Sequence, residues 1–186
     1  MSEKIDIRQL SLEELTEKLV ALGEKPFRAK QVHEWLWKKR ATKFSDMTNL
    51  SLSLRELIEE HFVINAIKLS EAQKSDDRTI KNAFLLADDA VIEGVLIPTK
   101  KRMTACVSVQ VGCSLDCAFC ATGKLKRVRN LNPDEIYDQV VMISNQAKEE
   151  YNIPLSNIVF MGMGEPLLNY KSVISSIDKI TSKQGL

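Results

Sequence analysis

The amino-acid sequence predicts an α/β fold that begins as a partial (β/α) barrel, preceded by a small helical N-terminal domain and a β-hairpin segment. Three patterns lead to this prediction. Apolar residues recur at helical spacing up to residue 62, short β-rich segments with turns follow up to residue 98, and strands then alternate with helices. We expect domains at 1–62, 63–100 (a β-hairpin linker) and 101–186. The last holds two βα units, which cannot close a barrel, so we expect a fold truncated at its C-terminus.

The composition is that of a globular protein. Of 186 residues, 44% are hydrophobic and 27% are charged, which allows a buried core. Because the net charge is +1, any nucleic-acid binding would have to come from local basic patches. The N-terminus lacks an apolar signal segment, and no apolar run approaches the ~20 residues of a membrane helix. We expect a cytoplasmic protein with reduced cysteines and no membrane contact.

Three helices are predicted in the N-terminal domain. The first begins at a capping box formed by Ser11 and Glu14 and ends at Gly23, the second begins at Pro26, and the third runs from Ser51 to about Glu60. The domain carries many cations. A solvated surface is the simpler interpretation of them, and a phosphate-binding surface is the alternative. These cations are Lys25, Arg28, Lys30, Lys38, Lys39, Arg40 and Lys43.

The segment from residue 63 to residue 98 predicts β-strands in one or two hairpins, with Pro98 ending the last strand. Glu93 interrupts the apolar run of that strand and, by alternation, shares a face with Val91, Val95 and Ile97. A carboxylate on such a face is at a sheet edge, paired with a cation, or functional.

The βα units follow. A strand over 103–111 would place Cys106 on one of its faces, and a helix begins at Asn132 with Glu135 closing a capping box. A short buried strand over 157–161 then leads to a Gly-Met-Gly-Glu-Pro segment at 162–166 and a helix at about 171–183. In barrels of this kind, reactive groups collect at the C-terminal ends of the strands, where the loops after both strands lie.

Three of the four cysteines form a C-x₃-C-x₂-C motif in the first of these loops: Cys113, Cys117 and Cys120. Protein-bound 4Fe–4S clusters usually have four cysteine ligands. Three ligands would leave one iron open to a small molecule, and the best-known occupant is S-adenosylmethionine, whose cleavage yields a 5′-deoxyadenosyl radical. The motif therefore predicts a radical-SAM site. Phe119 would cover the cluster with an apolar ring.

Structural zinc is the main alternative, but it requires four closed ligands, and neither His33 nor His61 is near the motif in sequence. Disulfides are less compatible still, because three crowded thiols cannot connect distant segments. The spacing favours the iron–sulfur interpretation.

Three segments carry a resemblance to a known family: 23–33 (Gly-Glu-Lys-Pro-Phe-Arg-Ala-Lys-Gln-Val-His), 106–123, which contains the cysteine motif, and 160–169 (Phe-Met-Gly-Met-Gly-Glu-Pro-Leu-Leu-Asn). In this order they resemble the N-terminal half of the RlmN-type radical-SAM RNA methyltransferases, whose relatives include the Cfr resistance methyltransferases. The resemblance implies that Cys113, Cys117 and Cys120 bind the cluster. It also implies that Gly164 and Glu165 bind the amino group of S-adenosylmethionine.

The resemblance further implies a reaction. One S-adenosylmethionine methylates a cysteine near the C-terminus, and a second yields the radical that activates this methyl group for addition to adenine. Glu93 aligns with the family's proposed general base, and Cys106 aligns with the cysteine that forms a disulfide as the product is released. From the residues alone, a buried structural thiol is the simpler interpretation of Cys106. The methyl-accepting cysteine has no counterpart in this chain, so we expect this chain alone to be inactive.

The implied substrates are an adenosine of 23S rRNA and one of tRNA, both methylated at carbon 2. Cfr relatives modify carbon 8, and the segment 164–166 is more similar to the carbon-2 group. The basic segments 124–129 and 100–102 are candidate phosphate contacts or merely solvated loops. We expect the protein to be a monomer and to receive electrons from a donor such as flavodoxin.

Two other hypotheses compete with this one. The first is a different radical-SAM enzyme, such as a glycyl-radical activase, and the second is a non-catalytic zinc or RNA-binding module.

Overall fold

A computed structural model describes residues 4–100 and 102–182. The described chain divides into two compact units, one formed by residues 4–65 and 179–182 and the other by residues 66–100 and 102–178. The α-helices are α1 (Leu12–Ala21), α2 (Phe27–Trp37), α3 (Leu52–His61), α4 (Pro133–Tyr151) and α5 (Tyr170–Thr181). The strands are β1 (Ile5–Asp6), β2 (Phe62–Val63), β3 (Lys68–Lys74), β4 (Ile80–Leu85), β5 (Val91–Pro98), β6 (Met103–Cys106), β7 (Gln110–Val111), β8 (Arg129–Asn130) and β9 (Asn157–Val159).

The first unit contains the three predicted N-terminal helices. Ser11 and Glu14 form the predicted capping box at the start of α1, and Gly23 follows the helix with a φ of 87°. The hydroxyl of Ser51 accepts a hydrogen bond from the Leu54 amide and caps α3. The helices bury an apolar core that includes Leu15, Leu19, Val32, Leu36, Trp37, Leu54 and Ile58. The predicted three-helix arrangement is confirmed.

The second unit is built on a five-stranded sheet with the order β3-β4-β5-β6-β9. The pairs from β3 to β6 are antiparallel, whereas β6 and β9 are parallel. The strands predicted between residues 63 and 98 are confirmed, and Pro98 ends β5 as expected. These strands share one sheet with β6 and β9. The division of the chain into three domains at 62 and 100 stays a prediction.

The two faces of this sheet differ. Helix α4 covers one face, where Phe84, Ile92 and Ile143 are fully buried. A β-carbon on Gly94 would lie 2.7 Å from the Phe84 ring and 3.2 Å from Ile143, so glycine permits this close packing. The opposite face carries exposed side chains such as Glu93 and is called the open face below.

Two strand predictions in the second unit need correction. The strand expected over 103–111 ends at Cys106, because the backbone of Ser108 pairs with the side chain of Gln139 on α4 rather than with a strand. The strand expected to be buried over 157–161 ends at Val159 and is partly exposed, because among the described strands only β6 pairs with β9.

The two predicted helices of this region are present. Asn132 and Glu135 form the predicted capping box of α4, and the predicted buried stripe is confirmed, with Ile136, Val140, Ile143 and Ala147 inside. In α5, Val173 and Ile180 are buried as expected, but Ile174 is 39% exposed. None of the helices in the described ranges has the length and apolarity that crossing a membrane requires.

Candidate active site

The candidate site lies in the second unit, at the ends of β6 and β9 and on the open face beside them. The cysteine loop follows β6 and the short strand β7, and the Gly-Met-Gly-Glu-Pro segment follows β9. Because β6 and β9 run parallel, their C-terminal ends lie at the same edge of the sheet. The loops that carry the predicted residues therefore begin side by side.

Glu93 and Cys106 are on the same face of this sheet. Cys106 pairs with Val95 across the β5–β6 ladder, and Glu93 lies two residues before Val95 on β5. Directly opposite residues of two paired strands share a face of the sheet, and so do residues two apart on one strand. Glu93 and Cys106 are therefore diagonal neighbours, a relationship that typically separates residues by roughly 7–8 Å.

The Glu93 carboxylate forms an ion pair with Lys81 on β4, with an oxygen–Nζ distance of 2.6 Å. About half of each side chain is exposed, and together with Glu71, Gln73 and Ala83 the pair borders a depression of about 90 Å³. Strand β5 is central in the sheet, which excludes the edge-strand explanation of Glu93. The paired and functional explanations both fit the geometry, because an exposed ion pair contributes little stability.

Cys106 is half-buried and its thiol is free. Burial raises the pKa of the thiol, and a hydrogen bond from the Met161 backbone partly offsets this effect. The contact places Cys106 beside the loop that follows β9. At neutral pH the sulfur is therefore protonated, and it can act as a nucleophile only after losing its proton.

Cys113, Cys117 and Cys120 lie in a loop stabilised by its own backbone. The Cys120 amide donates to the Cys117 carbonyl at 2.9 Å, and the Gly123 amide donates to the Cys120 carbonyl at 3.1 Å. All three thiols are free and partly exposed. A backbone hydrogen bond from Gly123 lowers the pKa of Cys120, so that thiol ionises more readily than Cys106.

This set of donors fits an iron–sulfur cluster in its chemistry, since thiolates are the usual ligands of such clusters. The described residues contain no group of three or more His, Cys, Asp or Glu side chains placed to hold a metal ion. The three cysteines share one loop without forming a ligand set in this arrangement. Phe119, expected to cover the cluster, is 93% exposed.

Gly164 and Glu165 are held against β7. Gly164 has a φ of 95°, and the Glu165 amide donates to the side-chain oxygen of Gln110 at 3.0 Å. The Glu165 carboxylate accepts a hydrogen bond from the Leu167 amide, which caps a short 3₁₀ helix. A tight turn that enters a helix would account for this cap. The cap also allows ligand binding, because the second carboxylate oxygen has no bond among those described.

Sequence reasoning missed several polar residues that hold these loops. Gln110, Ser108 and Gln139 are fully buried, and Asn169 is 5% exposed. The Asn169 amide donates to the carbonyls of Val109 and Leu131, both at 2.9 Å. The only sequence signal for this group was the run of polar residues at 108 and 110 within an otherwise apolar segment.

The basic segment after the cysteine loop is not uniform. Lys124, Lys126 and Arg127 are exposed, but Arg129 forms a bidentate pair with Glu135, with both distances 2.8 Å, and binds Asp88 at 2.7 Å. Of the cations in this candidate phosphate-contact segment, Arg129 is therefore already engaged by two carboxylates. In the other segment, Lys100 and Arg102 are exposed, and Lys101 lies outside the described residues.

Among the N-terminal cations, Lys39 lies 3.9 Å from the centre of the Trp35 ring, and the Trp35 indole donates to the Asn49 side chain. Lys38 forms an ion pair with Glu34 at 3.7 Å. Such contacts are typical of a solvated helix face and leave the charges exposed.

Two segments of the chain match known protein families. Residues 5–64 match the family described as the ribosomal RNA large subunit methyltransferase N-terminal domain, and residues 107–181 match the radical SAM superfamily. The second match favours the iron–sulfur interpretation of the cysteine motif over zinc.

Several curated relatives are similar over almost all of the chain. A probable dual-specificity RNA methyltransferase RlmN of Christiangramia forsetii is 60% identical over 98% of this chain and 52% of its own length. The protein of the same name from Flavobacterium johnsoniae is 58% identical over 99% of this chain and 53% of its length. The chain thus spans about half the length of the curated relatives that it matches.

A solved structure agrees with this result. The crystal structure of a radical SAM methyltransferase from Sphaerobacter thermophilus matches 97% of this chain and 53% of its own, with a TM-score of 0.83 and 36% identity. The predicted α/β class and the start of a radical-SAM domain are confirmed. By sequence and by fold, the chain is similar to the N-terminal half of the RlmN proteins and of the radical SAM methyltransferase that it matches.

Proposed function

We propose that the whole protein is a radical-SAM methyltransferase that methylates carbon 2 of adenosine in 23S rRNA and in tRNA. The observation that carries the proposal is the placement of Glu93 and Cys106 on one open face, next to the edge where the cysteine loop and the Gly164–Glu165 loop begin. The names of the curated relatives support RNA as the substrate.

In this proposal Cys113, Cys117 and Cys120 hold a 4Fe–4S cluster, and Gly164 and Glu165 bind the amino group of S-adenosylmethionine. When bound, these cofactors supply the methyl group and the 5′-deoxyadenosyl radical. Gly164 lets the backbone approach the ligand, and the Glu165 carboxylate attracts an ammonium group. The cap formed by Glu165 fixes the direction of its carboxylate.

Glu93 acts as the general base that accepts the proton from the substituted adenine carbon. Its half-exposed carboxylate can be reached from the open face, and Lys81 holds it in one orientation.

Cys106 closes a disulfide with the methyl-carrying cysteine, which is not among the residues of this chain. The S–S bond forms as the Cys106 thiol gives up its proton and the bond between sulfur and the product carbon breaks. The freed carbon takes up a proton to complete the methyl group, and the single electron taken up at the start of the reaction is released. A thiol reductant must then supply two electrons to restore both cysteines. The raised pKa of Cys106 keeps its thiol protonated until this step.

Carbon 2 is favoured over the carbon 8 of the Cfr relatives by the segment Gly164-Glu165-Pro166 and by the names of the relatives. The partners in this proposal are 23S rRNA, tRNA and an electron donor such as flavodoxin, with Lys124, Lys126 and Arg127 as exposed phosphate contacts beside the cysteine loop. We further propose a cytoplasmic monomer, since both RNAs and the reduced cysteines belong to that compartment.

The test is nucleoside mass spectrometry of RNA from cells that lack the gene and from the same cells carrying the full-length gene. We expect 2-methyladenosine in 23S rRNA and tRNA to disappear and to return. Formation of 8-methyladenosine would assign the protein to the Cfr-like group. No change in either nucleoside would contradict the methyltransferase assignment.

A further inference from the structure

Ser108 occupies the point where the strand containing Cys106 stops and the loops of the site converge. It is fully buried, and it lies two residues after Cys106 and two before Gln110. A buried hydroxyl is normally satisfied by hydrogen bonds, and the partners of this one belong to two different elements of the site.

The hydroxyl of Ser108 joins β5 to the loop after β9. It donates to the carbonyl oxygen of Glu93 at 2.5 Å and accepts a hydrogen bond from the Met163 amide at 2.8 Å. One oxygen atom thus connects the backbone of the candidate base to the loop that contains Gly164 and Glu165. The contact is tight, because a β-carbon on Gly162 would lie 2.7 Å from the same oxygen.

The backbone of Ser108 is held from the other side by α4. Its amide donates to the side-chain oxygen of Gln139 at 2.9 Å, and its carbonyl accepts from the Gln139 nitrogen at 3.1 Å. The Gln139 side chain also donates to the Glu135 carbonyl within α4, which fixes its orientation. Ser108 therefore cannot shift along the sheet without breaking several buried hydrogen bonds.

We propose that Ser108 is a positioning residue that sets the location of Glu93 relative to the Gly162–Glu165 loop, with Gln139 as its support. The role in catalysis rests on the function proposed above. Loss of the hydroxyl leaves the Glu93 carbonyl and the Met163 amide without their shared partner, so the two elements can move apart while the cysteine loop is unaffected.

The experiment compares Ser108→Ala with Ser176→Ala in the full-length protein. Ser176 is a matched control, since it is equally buried and its hydroxyl donates only to Val173 within α5 at 2.7 Å. The measured quantity is the amount of 5′-deoxyadenosine formed per methylated RNA. A loss of folded protein lowers both products together, whereas misplacement of Glu93 raises the ratio.

We expect Ser108→Ala to lower RNA methylation by up to ~100-fold and to raise this ratio at least ~10-fold, since a displacement of about 1 Å can have effects of this size. Ser176→Ala should leave the ratio unchanged. Ser108→Thr keeps the hydroxyl, so it should bring the ratio of 5′-deoxyadenosine to methylated RNA back toward the wild-type value. An unchanged ratio in Ser108→Ala would overturn the proposal, whether or not Ser108→Thr folds.

Amide hydrogen exchange gives a second measurement that does not depend on activity. Ser108→Ala should accelerate exchange at the Met163 amide, and Ser176→Ala should not. If the wild-type protein methylates no RNA, the proposed function fails but the exchange still tests the structural role of Ser108. Unchanged exchange at Met163 would contradict that role directly.

Discussion

A β-carbon placed on Gly164 would lie 2.5 Å from the β-carbon of Gln110, and the Gln110 side-chain oxygen accepts the Glu165 amide. The loop after β9 therefore approaches β7 more closely than any side chain at position 164 would allow. Its φ of 95° adds a second requirement for glycine. Both requirements are met at the residue proposed to bind S-adenosylmethionine.

Gly164→Ala should weaken the binding of S-adenosylmethionine to the reconstituted full-length protein by more than ~10-fold, because the loop must move away from Gln110. Gly23→Ala is the matched control: Gly23 has a φ of 87°, but a β-carbon there meets nothing within 4 Å. Equilibrium dialysis measures both. Equal affinities in the two variants would remove Gly164 from the proposed binding loop.

Loading of the iron–sulfur cluster should depend on the three cysteines of the loop and not on the fourth. After anaerobic reconstitution we expect about four irons per chain in the wild-type protein and almost none in Cys120→Ser. The Cys106→Ser variant should bind as much iron as the wild-type protein. Iron and sulfide analysis measures the difference, and stoichiometric zinc in place of iron would support the structural-zinc alternative.

The cysteines should also differ in their reactivity toward iodoacetamide in the cluster-free protein. The pKa of Cys120 is lowered by a backbone hydrogen bond, and the pKa of Cys106 is raised by burial. Because only the thiolate reacts, Cys120 should become reactive at a lower pH than Cys106. Mass spectrometry of alkylated peptides across a pH series measures this order. The opposite order would contradict the environments described here.

Glu93→Gln should reduce RNA methylation by the full-length protein by about 10²–10⁴-fold, which is the usual contribution of a general base. Folding should be unaffected, since the Glu93 side chain is 48% exposed. Lys81→Met breaks the same ion pair but keeps the carboxylate, so it should reduce RNA methylation by less than ~10-fold. Single-turnover methylation with mass spectrometry is the measurement. Similar losses in both variants would indicate that the ion pair matters and the base does not.

Arg129 should contribute more to stability than an ion pair at a partly exposed position usually does. Arg129→Gln leaves the nearly buried carboxylate of Glu135 without its bidentate partner, and we expect a loss of about 2 kcal/mol in the free energy of unfolding at pH 7. Asp88→Asn removes only the exposed arm of the network and should cost less than about 1 kcal/mol. Urea denaturation measures both.

The same network should depend on pH in the acid range. A hydrogen bond from Arg129 lowers the pKa of Asp88 below its ordinary value of 3.8. The stabilisation is therefore complete above the unfolded-state pKa and is lost as pH falls through the lower folded-state pKa. The difference between the wild-type protein and Asp88→Asn should shrink below about pH 4. A difference that is constant from pH 7 to pH 3 would contradict this linkage.

Local chemistry explains which features were predictable. The capping boxes at Ser11 and Asn132 each act within one helical turn, and Pro98 ends a strand because it has no amide hydrogen to donate. The cysteine spacing is likewise contained in eight residues. Such signals do not depend on how distant segments pack, so they could be read before the fold was known.

Contacts between distant segments were not predictable in this way. The helices, most strands and the three-cysteine motif follow from local sequence. Long-range packing, in contrast, binds Arg129 to Asp88 and Glu135, ends β6 at Cys106, and lets Ser108 connect Glu93 to Met163. These outcomes depend on strand register and on the position of α4 over the sheet, which arise from the packing of residues far apart in the chain.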